Sequence, residues 1–305
     1  MRTLDSRRAS KKPASKNIGR WPLLAVLLAS SLLACSPLGT LNELSEGDHY
    51  TVENGLPYGA EPRQVLDVYE PRERTDNAPV VVFIYGGGWR EGKKADYAFV
   101  GTSLTAAGFT VVIPDYRLFP EVRFPVFVED GADAVAWVER ELIADTERPL
   151  FLMGHSAGAH IAGLLALDPA YLQSAGVDPG RLAGWIGLSG PYDFLPIESG
   201  YLLDVFPGNS RAQSQPIRFV SGDAPPTLLV HGADDGVVEP GNSRRLANAL
   251  EAAGVDVTLV EQEGRSHAAT VAALAPPLEF VGDTRGVVVG FIEDMTGDTR
   301  HRQAR

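Results

Sequence analysis

"FLMGHSAGAH", Phe151 to His160, is the stretch on which the fold turns. Three apolar residues, Phe151 to Met153, stop at Gly154, and a serine follows between small residues. A short apolar run without alternation reads as a strand buried on both faces, and the alanine-rich run after Ser156 reads as a helix. Gly154-His155-Ser156-Ala157-Gly158 therefore matches G-x-S-x-G in the setting that motif needs, strand before and helix after. The turn needs glycines on both sides, because the serine backbone is strained and the next helix passes close. Such a turn lifts the Ser156 hydroxyl clear of the sheet, at the positive end of the following helix. The plain alternative is a tight strand-to-helix turn without chemistry, and the rest of the chain decides between the two.

Five more runs of the same kind lie on either side. "VVVFIYGGGW" starts with a β-branched and aromatic run from Val80 to Tyr85, and a second covers Thr110 to Ile113. "LAGWIGLSG", "PTLLVHG" and "VDVTLVEQ" follow the serine motif. Helical patterning falls between them, over Ala95 to Ala107, Val128 to Leu142 and Ser243 to Ala253, with a last helix over Asp283 to Met295. This alternation predicts βαβ units: an α/β fold with a mostly parallel, twisted sheet and helices on both faces. One domain over residues 50–297 accommodates it. Pro191 to Ser221 breaks the rhythm and reads as a small cap-like insertion above the sheet. Its Tyr192, Phe194, Tyr201 and Phe206 suit a substrate pocket and plain packing equally.

The 305-residue chain is 44% hydrophobic, has a formal charge of −12 and a sequence pI near 5.0. Nucleic-acid binding needs clustered Lys and Arg, so the acidic balance argues against it. The single cysteine excludes an intramolecular disulfide and a cysteine-cluster metal site. No metal or organic cofactor is implied.

The start of the chain departs from this balance. Residues 1–34 hold seven basic side chains against Asp5 alone, then an uncharged apolar stretch from Trp21 to Ala34. That is the order of a secretory signal, and it is short for a transmembrane helix. Leu32-Leu33-Ala34-Cys35 resembles the bacterial lipoprotein box. The resemblance implies cleavage before Cys35, acyl chains on Cys35, and an exported protein tethered to a bacterial cell membrane or outer membrane, facing periplasm or surface. Residues 35–49 are then expected to be a polar tether, and residues 298–305 a disordered tail.

A nucleophilic serine needs a base, and the base an orienting acid. His49 lies in the expected tether and His301 in the tail; His155 and His160 flank the serine, the former on a turn position aimed away from the hydroxyl. His231 ends a strand, where imidazoles more often bond backbone. His267, in the loop "EGRSHAAT" after the last strand, is the remaining candidate base. "HGADDGVV" after the preceding strand offers Asp234 and Asp235, of which only one can face the histidine. Tyr85-Gly86-Gly87-Gly88-Trp89 supplies the last part. The developing oxyanion of acyl transfer needs preorganised N–H groups, and consecutive glycines can turn amides inward. Gly87, Gly88 and the amide of Ala157 are the candidate donors.

With these residues placed, the chain resembles the α/β-hydrolase superfamily, in its hormone-sensitive lipase-like and bacterial carboxylesterase group. The likeness runs from "LPYGAEPRQVLDVYEP" to the His267 region, through "YGGGW", "IPDYRLFPEVRFP", "GHSAGAH" and "HGADDGVV". In that group the acid stands four residues after the histidine of the acid loop, which selects Asp235 over Asp234. The resemblance implies Ser156 as nucleophile, His267 as base and Asp235 as orienter, in a carboxylesterase acting on small to medium esters through an acyl-enzyme. Tyr85 stands where the group has histidine, a side chain that braces the oxyanion loop. The histidine-glycine-glycine-x-tryptophan form also occurs in kynurenine formamidase-like enzymes, so arylformamide hydrolysis is the second expectation. A non-catalytic binding protein on the same fold is a third, although such proteins commonly lose a triad member.

Overall fold

The computed structural model describes residues 37–297, apart from 46, 145 and 199. The proposed signal and Cys35, together with the tail 298–305, lie outside the described residues.

Eight strands form one sheet in the order β1-β2-β4-β3-β5-β6-β7-β8. They are β1 Tyr50–Pro57, β2 Val65–Pro71, β3 Val80–Ile84, β4 Thr110–Pro114, β5 Leu150–His155, β6 Leu182–Leu188, β7 Thr227–Gly232 and β8 Val257–Gln262. From β3 to β8 all neighbours are parallel, while β2 is antiparallel to both β1 and β4. Every residue of β3, β4, β5 and β7 is buried, as continuous apolar runs require when helices cover both faces.

The order of the strands dictates where the helices go. The chain steps from β3 one way to β4, then back past β3 to β5. Right-handed crossovers therefore put α2 (Ala98–Thr105) and α3 (Val126–Val138) on opposite faces. On the α3 face, a side chain at Gly131 of α3 would meet Ile161 and Leu165 of α4 (Ala157–Leu167). On the other face, Arg285 of the final helix donates to Ser103 of α2. The reversal of direction leaves the C-terminal ends of β3 and β5 side by side, the usual position of a site in an open α/β sheet. This is the expected α/β-hydrolase arrangement.

One sequence expectation, the tether, is corrected, and the structure adds two features. The expected tether is not plain linker: α1 (Pro37–Ser45) buries Leu41, and the Asn42 carboxamide accepts from Phe99 N and donates to the Ala95 carbonyl. The β1–β2 ribbon carried no apolar run. Its β1 is a largely exposed edge strand with polar residues and a bulge after Glu53, and β2 is interrupted by Asp67. Asp67 is tolerated inside because Lys94 Nζ lies 2.6 Å from it and the Gly55 amide donates to it. The insertion, 191–221, holds a short helix α6 (Gly200–Val205), after α5 (Pro169–Ser174) has closed the preceding connection. Of its four aromatics, Tyr192 and Phe206 are fully buried and serve as packing.

Candidate active site

Ser156 follows the last residue of β5 and caps α4, with φ 55° and ψ −122°. This positive φ is sparsely populated for a residue with a side chain, and it is the strain a nucleophile elbow stores. Gly158 explains why the turn can close: a Cβ there would run into the Ile84 carbonyl of β3. Ser156 N donates to the Leu188 carbonyl at 2.9 Å, pinning the elbow to β6. The hydroxyl is thus held above the sheet by its backbone rather than by rotamer choice.

The candidate base and acid arrive from separate loops. His267 opens α8 (His267–Ala272) after β8, and Asp235 lies in the loop after β7. His267 Nε2 is 2.8 Å from Ser156 Oγ, and His267 Nδ1 is 2.7 Å from Asp235 Oδ2. The imidazole thus carries its proton on Nδ1, donates it to Asp235, and offers Nε2 to the serine. Asp235 Oδ1 also accepts from the amides of Val237 and Val238, at 2.8 and 2.9 Å. Burial pushes the Asp235 carboxyl up, but contacts with His231 and His267 and the two amides outweigh it, holding it well below the usual carboxylate range. The acid is therefore charged at any pH where the protein works. Asp234 is exposed beside it and takes no part.

The oxyanion loop stands across the switch point. Gly86 lies against the nucleophile, where an added Cβ would be 2.9 Å from Ser156 Cβ. Gly87, at φ 134°, takes a conformation that only glycine adopts readily, and its carbonyl accepts from Arg90 N and Glu91 N. Gly87 and Gly88 line the same cleft as Ser156. Ala157 is the first residue of α4, where an amide has no acceptor within the helix. Gly87 and Gly88 therefore share the cleft with Ser156, and Ala157 directly follows it.

Tyr85 does brace this loop. Its hydroxyl donates to Asp115 Oδ1 at 2.7 Å and accepts from Arg63 Nη2 at 2.8 Å, while its ring stacks on Tyr97 and Tyr116. Arg63 donates onward to the carbonyls of Gly92 and Tyr116. Arg63 and Asp115 lie in stretches that carry the family resemblance, but their role here was not legible, because they meet Tyr85 only once the sheet has formed.

The histidines nearest the site are held by other contacts. His160 is buried, donates to the Ser214 carbonyl at 2.7 Å, and is pushed down to about 4 by burial. His155 packs beside His267 with ring centres 4.8 Å apart. His231 receives the Ser243 hydroxyl on Nδ1 and donates from Nε2 to the Val238 carbonyl.

The cleft over Ser156 measures about 870 Å³. Phe194 and Tyr201 of the insertion line it, as the sequence allowed, together with Trp89, Leu195 and Leu202. Trp89 anchors the insertion, packing against Phe194, Phe206 and His160. Asn242 Oδ1 accepts from the amides of Tyr192 and Asp193 and fixes its first turn. Among the described residues no cluster of His, Cys, Asp and Glu could hold a metal ion.

The BD-FAE family model matches residues 66–250, a span that includes β2 to α7 (Gly241–Ala252) and holds both the elbow and the acid loop. The chain belongs to the BD-FAE family. Among curated relatives, a probable isoprenylcysteine alpha-carbonyl methylesterase, ICMEL1 of Arabidopsis thaliana, is 28% identical over 283 residues, covering 83% of this chain and 59% of that protein. Esterase LipC of Mycobacterium tuberculosis is 31% identical over 243 residues, covering 72% of this chain and 60% of its own length. The chain thus spans about six-tenths of these relatives. A solved structure of an inhibited esterase B from Lactobacillus rhamnosis superposes with a TM-score of 0.72 at 20% identity, covering 93% of this chain and all of that one. That likeness establishes the shared fold of this BD-FAE family member.

Proposed function

We propose that the protein is a serine-dependent carboxylic ester hydrolase that works through an acyl-enzyme. The observation that carries this reading is the unbroken relay from Asp235 Oδ2 through His267 to Ser156 Oγ, with contacts of 2.7 and 2.8 Å, at the floor of the cleft. His267 Nε2 takes the Ser156 proton as Oγ attacks the ester carbonyl. The amides of Gly87, Gly88 and Ala157 receive the charge that develops on the carbonyl oxygen. Collapse of the tetrahedral intermediate expels the alcohol with the proton from His267. Water, deprotonated by the same Nε2, then attacks the acyl-enzyme and releases the carboxylic acid and free Ser156. Asp235 keeps the proton on Nδ1 and stabilises the imidazolium.

Hydrolysis of p-nitrophenyl acetate and butyrate, with fluorophosphonate labelling, tests this reading. Expected are turnover and labelling in the wild type and loss of both in Ser156→Ala. An unlabelled wild type overturns it in favour of a binding protein. N-formylkynurenine is the counter-substrate: turnover of it above that of the esters would replace ester with formamide hydrolysis.

We further propose that the protein is exported and lipid-anchored through Cys35. The order of basic residues, apolar stretch and Leu-Leu-Ala-Cys supports this. Expression in a bacterium with labelled palmitate tests it: label is expected on the wild type and absent from Cys35→Ser. Label on neither refutes the anchor.

A further inference from the structure

The backbone carbonyl of His267 accepts two side-chain hydrogen bonds. One comes from His155 Nε2 at 3.1 Å and the other from Thr270 Oγ1 at 2.9 Å. Thr270 Oγ1 in turn lies 3.0 Å from Ser189 Oγ. The single Thr270 hydroxyl proton goes to the carbonyl, so the Ser189 hydroxyl donates to Thr270. The donors run one way, from Ser189 through Thr270 to the carbonyl, and His155 meets them there from the other side.

These residues start from different strands. His155 ends β5 and Ser189 directly follows β6, so both are fixed by the sheet. His155, Ser189 and Thr270 are all buried, where a lost partner is not replaced by water. Ser189 holds φ 49°, a sparsely populated conformation for a residue with a side chain. Its amide donates to the Val230 carbonyl of β7. By contrast, the short helix that carries His267 has no side-chain cap at Ser266. Its first residue is held through its carbonyl.

His155 has a second side. With Nε2 donating, Nδ1 carries a lone pair, is buried and has no partner. It faces the oxyanion loop, where a Cβ on Gly86 would be 3.1 Å away. Burial first, then the charge of His267, pushes the His155 imidazole down to about 3, so the ring beside the base is neutral. A neutral neighbour does not oppose the imidazolium that must form on His267.

We propose that His155, Thr270 and Ser189 are positioning residues for the base, fixing the His267 imidazole between Ser156 and Asp235 through its backbone carbonyl. This rests on the reading of Ser156 and His267 as nucleophile and base. Ser189 and Thr270 are not among the residues that line the cleft, whereas His155 lines it beside Ser156 and His267. A displacement of about 1 Å at a reacting group can cost on the order of 100-fold in rate, and the triad tolerates little drift.

Steady-state kinetics on p-nitrophenyl acetate separate this role from simple packing. Thr270→Val keeps the shape and removes the donor, whereas Thr270→Ser keeps the hydroxyl. Thr270→Val is expected to lower kcat about ten-fold with KM changed by less than about two-fold, while Thr270→Ser keeps at least about half of kcat. Ser189→Ala, which only frees the Thr270 hydroxyl, is expected to lose about three-fold. His155→Gln retains an N–H donor and is expected to exceed His155→Leu in kcat by about five-fold. Wild-type kcat in Thr270→Val, or equal losses in Thr270→Ser and Thr270→Val, overturns the proposal. If circular dichroism shows Thr270→Val unfolded, equal kcat in His155→Gln and His155→Leu overturns it instead. A wild type that neither turns over the ester nor labels with fluorophosphonate refutes the functional reading alone. The positioning is then read from exchange of the His267 Nδ1 proton by NMR. Faster exchange in Thr270→Val than in Thr270→Ser supports it, and equal rates overturn it.

Discussion

His231 Nε2 lies 3.2 Å from Asp235 Oδ2, the same oxygen that His267 Nδ1 approaches at 2.7 Å. Two imidazoles and two backbone amides therefore surround one carboxylate, and His231, whose Nδ1 receives the Ser243 hydroxyl, is locked with its proton on Nε2. Asp235 is held by a cage of donors: the His231 Nε2 proton is shared between Oδ2 and the Val238 carbonyl, and the His267 N–H meets Oδ2 more closely. Its neighbour Asp234 has no such surroundings.

That contrast separates the two aspartates. Asp235→Asn is expected to lower kcat on a short ester by roughly 10³ to 10⁴, because a carboxamide can present an N–H to Nδ1 and turn the imidazole to the wrong tautomer. Asp234→Asn is expected to stay within about two-fold of wild type. Comparable losses in both variants would contradict the assignment of Asp235.

Tyr85→Phe removes the hydroxyl shared by Asp115 and Arg63 and leaves the ring stack in place. The expected stability loss is about 1–2 kcal/mol, from a half-buried carboxylate deprived of one donor. Loosening of the glycine loop is expected to lower kcat about three- to ten-fold, as preorganised donors lose aim. Thermal melts and kcat should fall together; a lower melting temperature with unchanged kcat would mean the loop is held by other contacts.

Gly158→Ala tests the close approach of α4 to β3. The added methyl would run into the Ile84 carbonyl and has no flexible neighbour to displace. Overpacking of this kind costs about 1–3 kcal/mol or more, which for a domain of this size lowers Tm by at least about 2 °C. A calorimetric Tm equal to that of wild type would show that the elbow is looser than described.

Acid should destabilise the fold before it protonates Asp235. His155 and His160 are buried neutral and pushed down to about 3 and about 4 from the ordinary 6.5. The unfolded chain therefore binds protons that the folded chain refuses. Stability is full above about pH 6.5 and falls as pH drops from there toward 4. With both sites the slope approaches about 2.7 kcal/mol per pH unit within that window. Asp235, held below its unfolded value, adds its own loss only below about pH 4. Urea titrations from pH 7 to 4 measure the slope; His160→Asn and His155→Gln should each reduce it by about one proton. A flat profile over that range would refute the buried neutral state of both rings.

Much of this protein was written locally. The apolar runs at Val80, Thr110, Leu150, Leu182 and Thr227 are strands because a parallel sheet buries both faces, which leaves no alternation to confuse the period, while the run at Val257 forms the half-exposed edge strand. Ser156 and the glycine loop were legible for the same reason: a strained turn demands particular residues at fixed spacing, so the chemistry shows in the string. Asp235 and His267 were legible as strand-end loop residues, with Asp234 excluded by resemblance to relatives rather than by local pattern. What the string did not contain is everything made by distant pairs. In the β1–β2 ribbon β1 is polar and exposed and β2 is interrupted by Asp67, and its place is set by the pairing of β2 with β4. The helix at 37–45 is defined by where Leu41 and Asn42 dock. The division of the insertion's aromatics into packing (Tyr192, Phe206) and lining (Phe194, Tyr201) depends on how the insertion folds over the sheet. Arg63, Asp115, His231, Ser189 and Thr270 bear on the site through hydrogen bonds across 22 to 81 positions of sequence or through contact with a residue that is itself placed by the sheet. Local sequence settles the strained turns and buried strands, because those depend on a residue and its near neighbours. Only the tertiary structure settles which carbonyl, carboxylate and imidazole meet, because directional bonds form once the sheet has brought their carriers within 3 Å or so of one another.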